Sequence, residues 1–333
     1  VYLTRNIARA VAFIHTCLLL LAGCSDNGTK VQASQQFRVA LLTPGPISDQ
    51  SWNAAAHAGL LLVRDSLAAT VRHVQTRTPA EFEENFRQYG AQGFDLVFGH
   101  GFEFQEAAQR VAPEYPRTVF VTTGGTGTGP NVAAMSFAFD EPSYLAGMAA
   151  ASVSRTKVLA AVGGTELPPV RESFDAFTAG ARAVDPSITV LTAYIGNWDD
   201  AGAGKEQALA LIARRADVLF QNADAAGLGI FQAVRESQGV WVVGSNADQN
   251  GIAPGVTLGS VVIDIPRAFF LIADEVKAAR FEPRVVRFDT ASEVVRWVPN
   301  PAASPLDRSI QIRIDSVRTA FAEGRGPLER ATP

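Results

Sequence analysis

Asp49, Trp52 and Asn53 fall together in "GPISDQSWNAAAHAGL" (45–60), directly after the apolar run "FRVALL". An indole offers a flat apolar face and an amide offers a donor beside an acceptor, a combination that suits a planar heterocycle. Each residue also has a plainer reading. Asp49 can cap the helix that follows, and Trp52 can be the first core residue of that helix. Further along, "LFQNADAAGLGIF" (219–231) carries Asn222 and Asp224, and "VVGSNADQN" (242–250) carries Asn246 and Asp248. His100 stands between two glycines after "FDLVFG". Singly, such polar loop residues read as solvent-facing. Their collection at successive strand ends points to a binding cleft.

The chemistry of turnover has no comparable support. No Gly-x-Ser-x-Gly elbow occurs. "GGTGTGP" (124–130) lacks the Lys-Ser/Thr of a phosphate loop, and "AGAGKE" (201–206) lacks its first glycine. The first reads as a flexible loop and the second as a helix start. His57 and His73 have no metal-ligand spacing. No catalytic residue, metal or cofactor is expected, so a hydrolase is a poor fit.

The elements that position these residues alternate. Strands are expected at 37–42, 70–75, 94–99, 117–122 and 131–137, with helices at 50–68, from Pro79, and at 102–112. On the first of these helices, 50–68, residues Trp52, Ala55, Ala56, Gly59, Leu60 and Val63 share one face. A long apolar helix at 139–155 has Asp140 as its expected cap and Pro142 in its first turn. The alternation then restarts and runs to a strand near 255–264 and a helix at 265–280. The Pro-rich stretch 298–305 reads as loop, followed by a helix at 306–323. Strand–helix alternation implies parallel sheets covered by helices, with ligands outside the carboxyl ends of the strands. Two such runs imply two sheets and a cleft between them.

At the N-terminus Arg5 and Arg9 precede an apolar run that ends in "LAGC" (21–24), with no acidic residue before Asp26. This is the layout of an export signal and is similar to a lipoprotein lipobox, with lipid expected on Cys24. Residues 1–23 are the expected signal and 24–36 a flexible tether. The chain has two cysteines, Cys17 and Cys24, so no disulfide is expected in the mature body. Loss of Arg5 and Arg9 makes the net charge of −4 more negative still, which disfavours nucleic acid as a partner. Roughly 300 residues then remain, enough for two domains of ordinary size.

Several stretches together carry a family resemblance: "SDQSWN", "YGAQGFDLVFGHGF", "SYLAGMAA", "AFTAG", "ADVLFQNADAAGLGIFQA" and "VVGSNADQ". The chain resembles the basic membrane protein (PnrA-like) family of substrate-binding lipoproteins of ABC importers. The resemblance implies an α/β type I periplasmic-binding-protein fold, two Rossmann-like lobes with a ligand cleft between them. It divides the body into 37–140 with about 264–290, and 141–263 with about 291–325. The implied ligand is a purine base or nucleoside, and the implied partner is an ABC permease in the inner membrane. A monomer held to the cell envelope by Cys24 is expected. A lipoprotein that senses the ligand and signals through a membrane partner is the alternative. Trp52 stands where the family has a stacking Phe, Asn53 matches its Asn, Asp49 lies in its acidic loop, and Phe220 matches an aromatic of the second lobe. Asn246 replaces an acid, and no Lys or Arg occurs between Arg235 and Arg267, where the family has a Lys. Both departures disfavour ribose.

Overall fold

Residues 36–303 and 306–328 are described by a computed structural model. Cys24, the signal and the tether through residue 35 lie outside the described residues. A compact unit begins at Phe37.

The first run builds β1 (Arg38–Thr43), α1 (Trp52–Leu67), β2 (Thr70–Gln75), α2 (Pro79–Ala91), β3 (Leu96–Gly99), α3 (Gln105–Val111), β4 (Val119–Thr123) and β5 (Val132–Phe137). The second builds α4 (Asp140–Val153), β6 (Val158–Gly163), α5 (Pro168–Val184), β7 (Thr189–Tyr194), α6 (Ala201–Ala213), β8 (Val218–Asn222), α7 (Asp224–Glu236), β9 (Trp241–Asn246) and β10 (Thr257–Ile263). The tail adds α8 (Ile265–Lys277), β11 (Val285–Phe288), β12 (Val295–Pro299) and α9 (Arg308–Ala322). The sheet orders are β11-β5-β4-β3-β1-β2 and β12-β10-β9-β8-β6-β7. The central strands β3 and β8 are buried along their whole length, as strands covered by helices on both faces must be. LVFG in β3 and the first three residues of β8, VLF, are correspondingly apolar rather than alternating. The edge strands β2 and β7 are partly exposed.

Local chemistry sets the helix starts. Thr78 accepts the Glu81 amide while the Glu81 carboxylate takes the Arg77 amide, and Pro79 stands in the first turn of α2. Asp200, Asp264 and Asp307 cap α6, α8 and α9. Asp140 does not cap α4: Phe139 holds that position, and Asp140 lies in the first turn, where its charge favours the helix N-terminus. Helix α4 is buried from Glu141 to Ala151. It packs on α5 so closely that a Cβ at Gly147 or Gly180 would strike the carbonyl of Phe177 or Tyr144.

Two further expectations from sequence need correction. The stretch 298–305 is not all loop: Val298 and Pro299 end β12, paired antiparallel with Ser260 and Gly259 of β10. Proline is tolerated there because β12 is an edge strand and Pro299 its last residue. The helix expected at 102–112 is a 3₁₀ turn at Phe102–Phe104 followed by the short α3.

The chain passes between the sheets after β5, after β10 and after β11. The three passages lie side by side, because the Ala138 amide donates to the Phe288 carbonyl at 2.8 Å and the Asp264 amide to the Val294 carbonyl at 2.7 Å. The buried Glu141 adds to them by accepting the Thr290 amide at 2.9 Å.

Candidate functional site

Asp49 organises the entry to α1. Its carboxylate accepts the backbone amides of Ser51, Asn53 and Ala54 and the Asn53 side-chain Nδ2, at 2.8–3.0 Å. These would otherwise be orphan donors at a helix N-terminus. The capping reading of Asp49 therefore describes its contacts, and Asn53 is turned toward Asp49. Both side chains are buried, and neither lines the cavity described below.

Trp52, held at the first turn of α1, stacks on His100 with ring centroids 4.0 Å apart and planes 22° apart. Phe137 meets its edge at 6.3 Å. His100 is fully buried. Its Nε2 donates to the Trp52 carbonyl at 3.0 Å, and its Nδ1 faces the Thr123 hydroxyl at 3.1 Å. A carbonyl only accepts, so Nε2 carries the proton and Nδ1 accepts. Burial pushes the imidazole pKa down to about 3, with the hydrogen bond to Trp52 opposing. His100 is thus a neutral platform beneath Trp52 rather than a cavity residue.

The second lobe supplies Asn222 at the end of β8, Asp224 at the start of α7 and Asn246 at the end of β9. Asp224 and Asn246 have φ of 47° and 65°, a left-handed conformation that Asp and Asn tolerate better than most residues. The Asn246 Nδ2 lies 3.3 Å from each of Asn222 Oδ1, Asp224 Oδ1 and, across the lobes, Ser51 Oγ. Two more hydrogen bonds join the lobes here, Ser51 Oγ to the Ser245 carbonyl and Gln249 Nε2 to the Gln50 carbonyl. Burial pushes the Asp224 carboxyl well above the usual carboxylate range. The charges of Asp49 and Glu103 push it the same way, and hydrogen bonds from Ser51 and Asn246 oppose them.

Between the lobes lies a cavity of about 320 Å³. Trp52, Asn222, Asp224 and Asn246 line it. Phe220 does not: it is fully buried, stacked on Phe177 at 5.1 Å and edge-on to Phe174, because its side chain packs under α5. Asp248 is exposed, and its Oδ1 accepts the Asn250 amide within its own turn. Among the residues not singled out from sequence, Trp198 lines the cavity from the second lobe, and Phe102, Phe137 and Phe139 line it as well. So do Glu103 and Glu172. "NWDD" after β7 was the available signal for Trp198, since it lies at a strand's carboxyl end. The glycine-rich loop expected to be plain and flexible forms a wall: Gln105 Oε1 accepts the amides of Thr126 and Gly127, and Gly124, Gly125 and Thr126 face the cavity. Among the described residues no three His, Cys, Asp or Glu side chains converge as a metal site.

A family model described as ABC transporter substrate-binding protein, PnrA-like, matches residues 36–316. A nucleoside-binding protein of an ABC transporter, BmpA from Lactococcus lactis subsp. cremoris, is 28% identical over 79% of this chain and 82% of its own length. The transcriptional activator protein med of Bacillus subtilis is 26% identical over 91% of this chain and 93% of its own. The crystal structure of a transcriptional activator of the comK gene from Bacillus halodurans superposes with a TM-score of 0.75 at 23% identity, covering 88% of this chain and all of that one.

Proposed function

This chain belongs to the PnrA-like family of ABC transporter substrate-binding proteins, and from that premise we propose that it captures a purine base, a purine nucleoside or a related small heterocycle and passes it to an ABC permease. The family is one of substrate-binding proteins rather than enzymes, and the fold is the two-lobed type I periplasmic-binding fold. Capture proceeds by closure of the lobes on the ligand. In this reading the protein is exported, held by lipid on Cys24, and works as a monomer. Among the described residues no helix is long and apolar enough to cross a membrane.

The observation that carries the ligand class is the Trp52–His100 stack at the cavity wall. With one indole face covered by a neutral ring, the other is available to a flat ligand. Trp198 approaches from the opposite lobe. A cavity of about 320 Å³ stands at the small end of ligand sites, which run from roughly 300 to 1,000 Å³. Mass spectrometry of what co-purifies with the soluble form beginning at Ser25 tests the reading. A planar heterocycle lost in Trp52→Ala supports it; a ligand without a ring system overturns it.

A second reading is ligand sensing through a membrane partner, favoured by the relative named a transcriptional activator. Lobe closure serves either role. Ligand-dependent stimulation of a permease ATPase in proteoliposomes favours transport over sensing.

A further inference from the structure

The polar equipment of the cavity is one-sided. Glu103 reaches it from the loop after β3, Glu172 from α5 and Asp224 from α7, so both lobes contribute an acid. None of the residues that line the cavity is Lys, Arg or His. The groups around these acids do little to offset them. Asp224 faces Asp49 and Glu103, while Glu172 faces Asp140 and Asp175, with Arg171 opposing. A second observation concerns Asn246, which is 5% exposed. Its Nδ2 is directed at Asn222, Asp224 and Ser51. Its Oδ1 takes no hydrogen bond among the described residues and is left to the cavity, so this amide too presents an acceptor. Around the acceptors stand the π faces of Trp52 and Trp198, with Phe102, Phe137 and Phe139.

We propose that the ligand of this cavity is a planar heteroaromatic cation, a ring system carrying its positive charge within or beside the ring. The proposal rests on the reading of a flat ligand at Trp52 and adds its charge. Indole faces attract cations electrostatically, and more strongly where water is excluded. The carboxyl groups of Asp224, Asp49 and Glu103 repel one another where Asp224 is buried, with Glu172 exposed at the rim, and a bound cation removes that repulsion. A neutral ring gains the stacking but leaves the acids uncompensated. Asn246 Oδ1 would accept from an exocyclic amino group or ring N–H at the ligand's edge.

Calorimetry with three probes separates charge from shape. These are 7,9-dimethyladeninium, a planar fixed cation; 9-methyladenine, a neutral counterpart; and 8,9-dimethyladenine, neutral with the cation's methyl count. The cation should bind about tenfold or more tighter than either neutral ring. Asp224→Asn should shrink that ratio severalfold, and Glu103→Gln provides the same comparison should the first variant fold poorly. If the neutral rings bind as tightly as the cation and lose affinity in Trp52→Ala, the charge proposal is wrong and the flat-ligand reading survives. If none of the three binds, both fall.

Discussion

The imidazole of His100 lies beneath the indole of Trp52, 4.0 Å between centroids, and donates from Nε2 to that same residue's backbone carbonyl. One residue thus fixes both the ring plane and the backbone of the other. A stacking surface held in this way costs little further ordering when a ligand arrives, which favours affinity.

Trp52→Ala should therefore weaken ligand binding by about tenfold or more, since base–aromatic stacking contributes on the order of 1–3 kcal/mol. Trp52→Phe should cost much less. Titration calorimetry on folded variants gives the comparison. Wild-type affinity in Trp52→Ala would show that the indole serves packing alone. Intrinsic fluorescence should also change on binding, with Trp52 and Trp198 both at the cavity and Trp241 and Trp297 away from it.

His100 also predicts an acid dependence. Its pKa is lowered in the folded state to about 3 from 6.5, so below pH 6.5 the unfolded chain takes up a proton that the folded chain refuses. The stability His100 confers is present above 6.5 and is lost as pH falls toward about 3, on the order of 3–5 kcal/mol in total. His100→Gln should melt lower than the parent at pH 8, with the gap narrowing toward pH 4. Parallel melting curves for the two proteins across that range would contradict the buried, neutral imidazole.

Asp224 has the opposite sign. Its folded pKa is raised well above 3.8. It therefore favours the folded state fully below 3.8, and that contribution is lost as pH rises through the folded pKa. In the absence of ligand, Asp224→Asn should melt higher than the parent near pH 8, with the advantage shrinking toward pH 4. The same substitution should weaken ligand binding, separating a site built for function from one built for stability. A variant less stable at every pH would mean that the carboxylate is structurally required.

Much of this arrangement is legible in the sequence, and the exceptions have physical causes. "TVRHVQ" and "KVLAAVG" identify themselves as strands by β-branched residues and flanking turns. The polar residues after β8 and β9 mark the second lobe's share of the cavity. Strand β11, from "RVVRF", was not apparent: its partner is β5, far back in the chain, and nothing local specifies that pairing. Strand β12 was hidden by Pro299 at its end and the prolines that follow. The role of His100 depends on Thr123 and Trp52, brought to it by other strands and α1. Phe220 shares its strand with Asn222, yet the helix that covers it is specified elsewhere. Glu172 lies within a helix and is exposed, as an acid there ordinarily is, and only the second lobe's fold places that exposed face at the cavity.

Cys24→Ser tests the anchor independently of the ligand. The variant should lack lipid, escape normal processing and leave the membrane fraction. Recovery of ordinary membrane-bound mature protein would remove the lipoprotein assignment.

The last prediction concerns ribose. A carboxylate accepts sugar hydroxyls with charge assistance and a lysine donates to them, each stronger than a neutral hydrogen bond. At the corresponding positions this chain has Asn246 and, around Ile263, no cation between Arg235 and Arg267. The structure narrows the choice further. Asn246 Nδ2 is taken up by Asn222, Asp224 and Ser51, so one neutral oxygen remains where the resemblance implies an acid. The cavity is about 320 Å³, and aromatic side chains form much of its wall. Ring N–H and amino groups need only the acceptors found here, whereas a ribose hydroxyl also presents an oxygen, for which the lining offers no Lys, Arg or His, and a buried oxygen left short of a donor costs on the order of 1–3 kcal/mol. Adenine, guanine or hypoxanthine should accordingly bind more tightly than the matching nucleoside, by about tenfold. Calorimetry on matched pairs decides it. Tighter binding of guanosine or inosine than of the free base would mean that Asp224 or Glu103 holds the sugar in place of the missing acid.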